Sequence, residues 1–115
     1  MDKKGIKPLI PFIRKIEEDF SPARIILFGS RARGDCHKDS DYDLIIVADS
    51  FKKMNFHDRA ASIYHIKRIP VSVDVICYTP EEFAIQSKQL GIVNQALKEG
   101  IDVLEIFRGK RGVIN

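Results

Sequence analysis

The chain contains no tryptophan and only two cysteines, Cys36 and Cys77. These lie far apart and form neither a C-x-x-C pair nor a disulfide framework, which argues against a cysteine-stapled secreted scaffold and suits free thiols in a reducing compartment. No Cys or His pair stands at the separations of about two to four residues typical of structural zinc, so Cys36, His37, His57 and His65 read as surface polar residues, while Cys77, inside a strand, reads as a small buried apolar residue. The longest strongly apolar runs, such as Ile25 to Phe28 and Leu44 to Ala48, are strand-sized and far short of the ~20 residues of a bilayer-spanning helix. An uninterrupted apolar signal core is missing after Met1-Asp2-Lys3-Lys4-Gly5, and the expected location is the cytoplasm. Low-complexity sequence is missing apart from a basic stretch, Arg108-Gly109-Lys110-Arg111-Gly112.

What remains is an ordinary globular composition. Hydrophobic residues make up 44% and charged residues 30% of 115 residues, too apolar for disorder and enough for one core. Nineteen Lys and Arg against sixteen Asp and Glu leave a formal charge of +3, compatible with anionic ligands. A nucleic-acid binder is disfavoured, since no reading motif accompanies that charge. Leu9, Phe12, Ile13, Ile16 and Phe20 recur at helical spacing and predict an N-terminal helix over Pro8–Phe20. Arg24–Phe28 and Tyr42–Ala48 read as strands, Phe56–Arg68 as a helix with Phe56 and Tyr64 in its core face, and Val71–Tyr78 as a third strand. Thr79-Pro80-Glu81-Glu82 carries a capping box with proline at the first helical position. Gly91 breaks the following helix, Gly100 reads as a C-terminal glycine, and Ile101–Phe107 as a final edge strand. The expected fold is α/β (α+β), a mixed sheet of about four strands with helices packed on it. The globular domain is expected over residues 1–107, with a frayed basic tail over 108–115.

Chemistry concentrates between the first two strands. Gly29-Ser30 ends a strand before a short helical turn, where the missing side chain lets backbone N–H groups approach a phosphate and Ser30 caps the turn. Arg31 and Arg33 add positive charge there, or else lie on a solvated face. Gly34 lets the chain leave the turn with positive φ. Asp41 and Asp43, two apart in a strand, project to one face while Leu44 and Ile46 face the opposite layer. Two like charges ~4 Å apart repel by about 4 kcal/mol at an effective dielectric of ~20, and a hard divalent cation such as Mg²⁺ or Mn²⁺ is the natural compensation. Asp74 interrupts the apolar run Val71–Ile76, and a charge buried there needs a partner, which the same cation supplies. The alternative for Asp74 is an exposed edge position or a salt bridge.

Gly29-Ser30, ten further residues, then Asp41-Tyr42-Asp43, with Asp74 as a third carboxylate, resembles the minimal nucleotidyltransferases of the DNA polymerase beta superfamily. The resemblance implies the nucleotidyltransferase fold and metal-dependent transfer of a nucleoside monophosphate, AMP from ATP being the expected case, to a hydroxyl. It implies two Mg²⁺ ions, one held by Asp41, Asp43 and Asp74 and one by Asp41 and Asp43, with Gly29 and Ser30 on the β and γ phosphates and Arg31 and Arg33 stabilising charge beside them. Relatives of larger size carry a second domain that binds the acceptor. Here the acceptor is expected through self-association or from a partner protein, and the resemblance points to a partner, the small helical HEPN ribonuclease toxin for which such chains act as antitoxin by AMP transfer to a tyrosine. Rival readings are a catalytically silent module that neutralises its partner by contact, and a transferase for a small-molecule hydroxyl.

Overall fold

The first helix forms because its apolar residues fall on one stripe. In the computed structural model, which describes residues 5–35 and 40–109, a 3-10 turn at Lys7–Leu9 leads into α1, Ile10–Phe20. Leu9, Phe12, Ile13, Ile16 and Phe20 are all buried. Pro11 stands in the first turn, where its missing N–H costs nothing. There follow β1 (Arg24–Phe28), α2 (Ser30–Arg33), β2 (Tyr42–Val47), α3 (Phe56–His65), β3 (Val73–Tyr78), α4 (Pro80–Ser87), α5 (Ile92–Glu99), β4 (Ile101–Asp102) and α6 (Val103–Phe107).

The four strands form one mixed sheet, as the sequence predicts, and their order is β3-β2-β1-β4. β1 runs antiparallel to β2 and β4, while β2 and β3 are parallel and joined by the crossover helix α3. Alternation along β2 sends Tyr42, Leu44 and Ile46 into a core with α1, α3 and α6, and Ile45 and Val47 into a second core with Phe83 of α4 and Val93 and Ala96 of α5. Asp43 shares the parity of Ile45 and Val47 and so stands on the α4–α5 side of the sheet. Among the described residues no helix is long and apolar enough to cross a membrane.

Several expectations change. Only Ile101 and Asp102 pair with β1; Asp102 then accepts a hydrogen bond from the Glu105 N–H at 3.1 Å, and this side-chain cap turns Val103–Phe107 into a helix. Arg108 belongs to the fold: its Nε and Nη2 donate to Glu17 at 2.7 and 2.8 Å. The Gly109 N–H donates to the Ile106 carbonyl at 3.0 Å; residues 110–115 of the expected tail lie outside the described residues, as do Cys36 and His37. Gly100 does end α5, as the sequence predicts, but in an extended conformation, and glycine is required because a Cβ would strike the Ala96 carbonyl and the Ile26 side chain where α5 meets β1. Phe56 and Tyr64 are 57% and 41% exposed. Helical spacing placed them on a face, but Ile63 alone supplies the buried apolar contact of α3, and Phe56 rests its ring 6.1 Å from that of Tyr78. The Tyr64 hydroxyl accepts a hydrogen bond from the Val75 N–H at 3.1 Å.

The capping box at the start of α4 is present in full, and it is tied to α3. Thr79 Oγ1 accepts from the Glu82 N–H while Glu82 Oε1 accepts from the Thr79 N–H, at 3.2 and 2.9 Å. The buried Arg59 guanidinium donates to both Glu82 oxygens at 2.6 and 3.2 Å and to the carbonyls of Met54 and Cys77. Arg59 holds the Glu82 carboxyl below its ordinary range. Cys77 behaves as a small apolar residue whose thiol burial pushes up to about 12.

Candidate active site

The sequence-predicted residues meet at the end of the sheet opposite Arg59. Register pairs Asp43 of β2 with Asp74 of β3 and, on the other side, with Phe28 of β1. Paired residues on neighbouring strands point to one face at the strand spacing of about 4.8 Å. Asp41 immediately precedes β2. The Asp43 carboxyl is held above its ordinary range, first by its partial burial and then by the charges of Asp74 and Asp41, with Arg33 acting in the opposite sense. Among the described residues, no hydrogen bond or ion pair to any of these three carboxylates is present.

Asp43 also explains the glycine. Gly29 has φ 76°, and a Cβ on it would overlap Asp43 Oδ2. Both the backbone conformation and the approach of the carboxylate therefore require glycine at this one position. Ser30 is the first residue of α2 and not its cap; Gly29 holds the cap position, and no side chain caps the turn. Gly34 closes α2 with φ 86°, as expected.

Asp74 departs from the sequence reading in one respect. It is exposed, the second residue of an edge strand, so burial does not force a partner on it. Nor do three Asp, Glu, His or Cys side chains converge closely enough to hold a metal ion among the described residues. Asp43 turns Oδ2 toward Gly29 at the end of β1, the side of β2 away from Asp74. Strand register places Asp43 beside Asp74, and both Asp74 and Asp41 are near enough for their charges to act on the Asp43 carboxyl.

The two arginines divide. Arg33 reaches Asp35 at 3.2 Å and Glu99 of α5 at 3.3 Å. Arg31 donates from Nε and Nη2 to the Ser40 carbonyl at 3.2 and 2.9 Å and lies 4.4 Å over the Tyr42 ring. Beside Gly29 opens a cleft of ≈ 180 Å³, floored by Phe28 and Ala96 and edged by Arg33, Ile92, Gln95 and Glu99. The α5 residues here were not singled out from sequence. The positions 92, 95, 96 and 99 do mark one helical face, but that pattern also describes any packed helix. A larger cleft of ≈ 400 Å³ between α1 and the end of α3 contains none of the motif residues.

The family model of the nucleotidyltransferase domain matches residues 10–103, a span that takes in every motif residue. The chain belongs to the nucleotidyltransferase domain family. Among solved structures, this nucleotidyltransferase domain is similar to a crystal structure from Sulfolobus solfataricus classed as a nucleotidyltransferase, at 25% identity and a TM-score of 0.63, over 86% of this chain and 78% of that one. BolA1 from Arabidopsis thaliana matches with 16% identity and a TM-score of 0.51, over 65% of this chain and 94% of that one, a likeness of fold alone. No curated protein matches the chain. The nucleotidyltransferase fold and a nucleotidyl-transfer function follow from the family, with a nucleoside triphosphate as substrate.

Proposed function

We propose that the chain transfers AMP from ATP to a hydroxyl, using Mg²⁺ or Mn²⁺, and that the acceptor is a tyrosine of a partner HEPN ribonuclease toxin, which the transfer silences. The observation that carries this reading is the set of three acids, Asp41, Asp43 and Asp74, placed at one end of the sheet beside Gly29 with no counter-charge bonded to them. Their oxygen donors suit a hard divalent cation. Asp41 and Asp43 would hold both ions and Asp74 the one on the acceptor side. Bound metal supplies charge neutralisation for the triphosphate and acidifies the attacking hydroxyl.

The rest falls to the chain's own groups. Gly29 makes room for the Asp43 carboxylate, and the turn it begins would offer its backbone N–H groups and the Ser30 hydroxyl to the β and γ phosphates. Arg33, at the mouth of the cleft, meets the phosphates by exchanging its carboxylate partners for phosphate oxygens. The acceptor hydroxyl releases its proton to solvent as its oxygen forms a bond to the α-phosphorus, the bond to the β-phosphate bridging oxygen breaks, and pyrophosphate leaves.

A reading by contact alone is favoured by one observation: Ile85, Leu90, Ile92 and Leu97 of the α4–α5 layer are exposed. Intact-mass spectrometry separates the two. The chain is mixed with Mg²⁺, ATP and a HEPN protein encoded beside it, with Asp43→Asn as control. Addition of AMP to the partner, missing from the control, is the expected result. A complex that co-elutes without any mass gain would replace transfer with neutralisation by contact.

A further inference from the structure

We propose that Arg31 is a positioning residue that sets the place of Asp41, and not a ligand of the triphosphate. This rests on the nucleotidyl-transfer reading above and concerns how its carboxylate site is built. Arg31 follows Ser30 directly in α2, yet its guanidinium is directed across to the start of β2. There it touches the chain on both sides of Asp41. Before Asp41, the Ser40 carbonyl accepts from Arg31 Nη2 at 2.9 Å and from Nε at 3.2 Å. After Asp41, the Tyr42 ring lies 4.4 Å beneath the guanidinium carbon.

Tyr42 gives that contact a firm base. It is 5% exposed, packed in the larger core, and its N–H donates to the Ser72 carbonyl at 2.9 Å, one residue before β3 begins. Asp41 is thus a single residue bracketed by two contacts of one side chain, and that side chain grows from the turn containing Gly29 and Ser30. The brace joins the two halves of the motif in space, where they are separated by ten residues in sequence. A planar guanidinium suits both demands at once, two N–H groups for a carbonyl and a face for a ring; a lysine ammonium presents a point charge and no plane. A residue that holds a metal-binding carboxylate in place acts on metal affinity, typically by about 10–100-fold.

The test compares wild type with Arg31→Lys and Arg31→Gln, by Mn²⁺ titration followed by electron paramagnetic resonance in the absence of nucleotide, then by kcat and KM for ATP at saturating Mg²⁺. Thermal denaturation confirms folding, and Arg31→Gln serves should Arg31→Lys not fold. The expected result is Mn²⁺ binding weakened by about tenfold or more in both variants, with KM for ATP within about twofold of wild type once Mg²⁺ is saturating. Unchanged Mn²⁺ binding with a tenfold rise in KM for ATP would make Arg31 a phosphate ligand and overturn the proposal. Wild-type protein that neither binds Mn²⁺ nor transfers a nucleotide would overturn the transfer reading itself, and the role of Arg31 with it.

Discussion

The two ends of the parallel pair β2–β3 treat charge in opposite ways. At the C-terminal end, Arg59 is buried, yet the Glu82 carboxylate and the Met54 and Cys77 carbonyls take up its guanidinium donors. At the N-terminal end, partial burial and then the charges of Asp74 and Asp41 hold the Asp43 carboxyl above its ordinary range, and no counter-charge is bonded to the three acids among the described residues. One end is arranged for stability, since a charge removed from water is kept only when paired. The other end retains repulsion that folding alone would discard. Residues that oppose the fold at one place, in a molecule that neutralises charge so fully at another, mark the place where a ligand completes the electrostatics.

Asp43→Asn breaks the contrast most sharply. It should reduce nucleotidyl transfer by at least about 10³-fold, since a carboxylate that organises several kcal/mol of charge stabilisation is lost, while circular dichroism shows an unchanged fold. Arg59→Ala breaks the opposite end. It leaves the Met54 and Cys77 carbonyls without the Arg59 donor and Glu82 with the Thr79 N–H alone, and should cost about 2 kcal/mol and lower the melting temperature by on the order of 10 °C in calorimetry. Transfer measured well below that temperature should persist, because Arg59 stands at the other end of the strands.

Gly29→Ala acts at the carboxylate end through sterics. The Gly29 backbone, with φ 76° and ψ −158°, lies in a region essentially confined to glycine; an alanine there costs about 1–3 kcal/mol, and its methyl displaces the Asp43 carboxylate, so urea midpoint and transfer rate should fall together. The smallest effect belongs to pH. Because the folded Asp43 carboxyl lies above its unfolded value, the folded state binds this proton more tightly. Its ionisation therefore subtracts stability as pH rises from the unfolded pKa through the raised folded one, the reverse of a paired aspartate. Asp43→Asn should be more stable than wild type at neutral pH by on the order of 0.5 kcal/mol after solvent screening, and the two should converge below the unfolded carboxylate range. Denaturant melts at pH 3 and pH 7 measure this, and a stability difference that does not change with pH would show that the folded Asp43 carboxyl is not raised.

Much of this was legible in the sequence because the signals were local and redundant. The stripe Leu9 to Phe20, the capping box at Thr79 and the spacing from Gly29 to Asp43 each combine several residues that agree. What escaped depended on distant partners. Nothing near Arg108 announces Glu17, and nothing near Gly100 announces Ile26, because those contacts exist only once α6 and α5 have docked. Asp74 looked buried because its neighbours are apolar, whereas burial on an edge strand is decided by what covers that edge. Ile101–Phe107 looked like a strand because apolar content outweighs one capping aspartate in a pattern, though not in the backbone.

The Tyr64 hydroxyl deserves its place at the end of α3 for a reason unconnected with catalysis. By accepting the Val75 N–H it occupies a donor on the free side of β3, the outer strand of the sheet. An unpaired outer strand is a template on which a second polypeptide can add itself, leading to swapping or fibrous aggregation. With a phenol across that position, a strand added beside Asp74 would have to displace the Tyr64 hydroxyl before it could pair with the Val75 N–H.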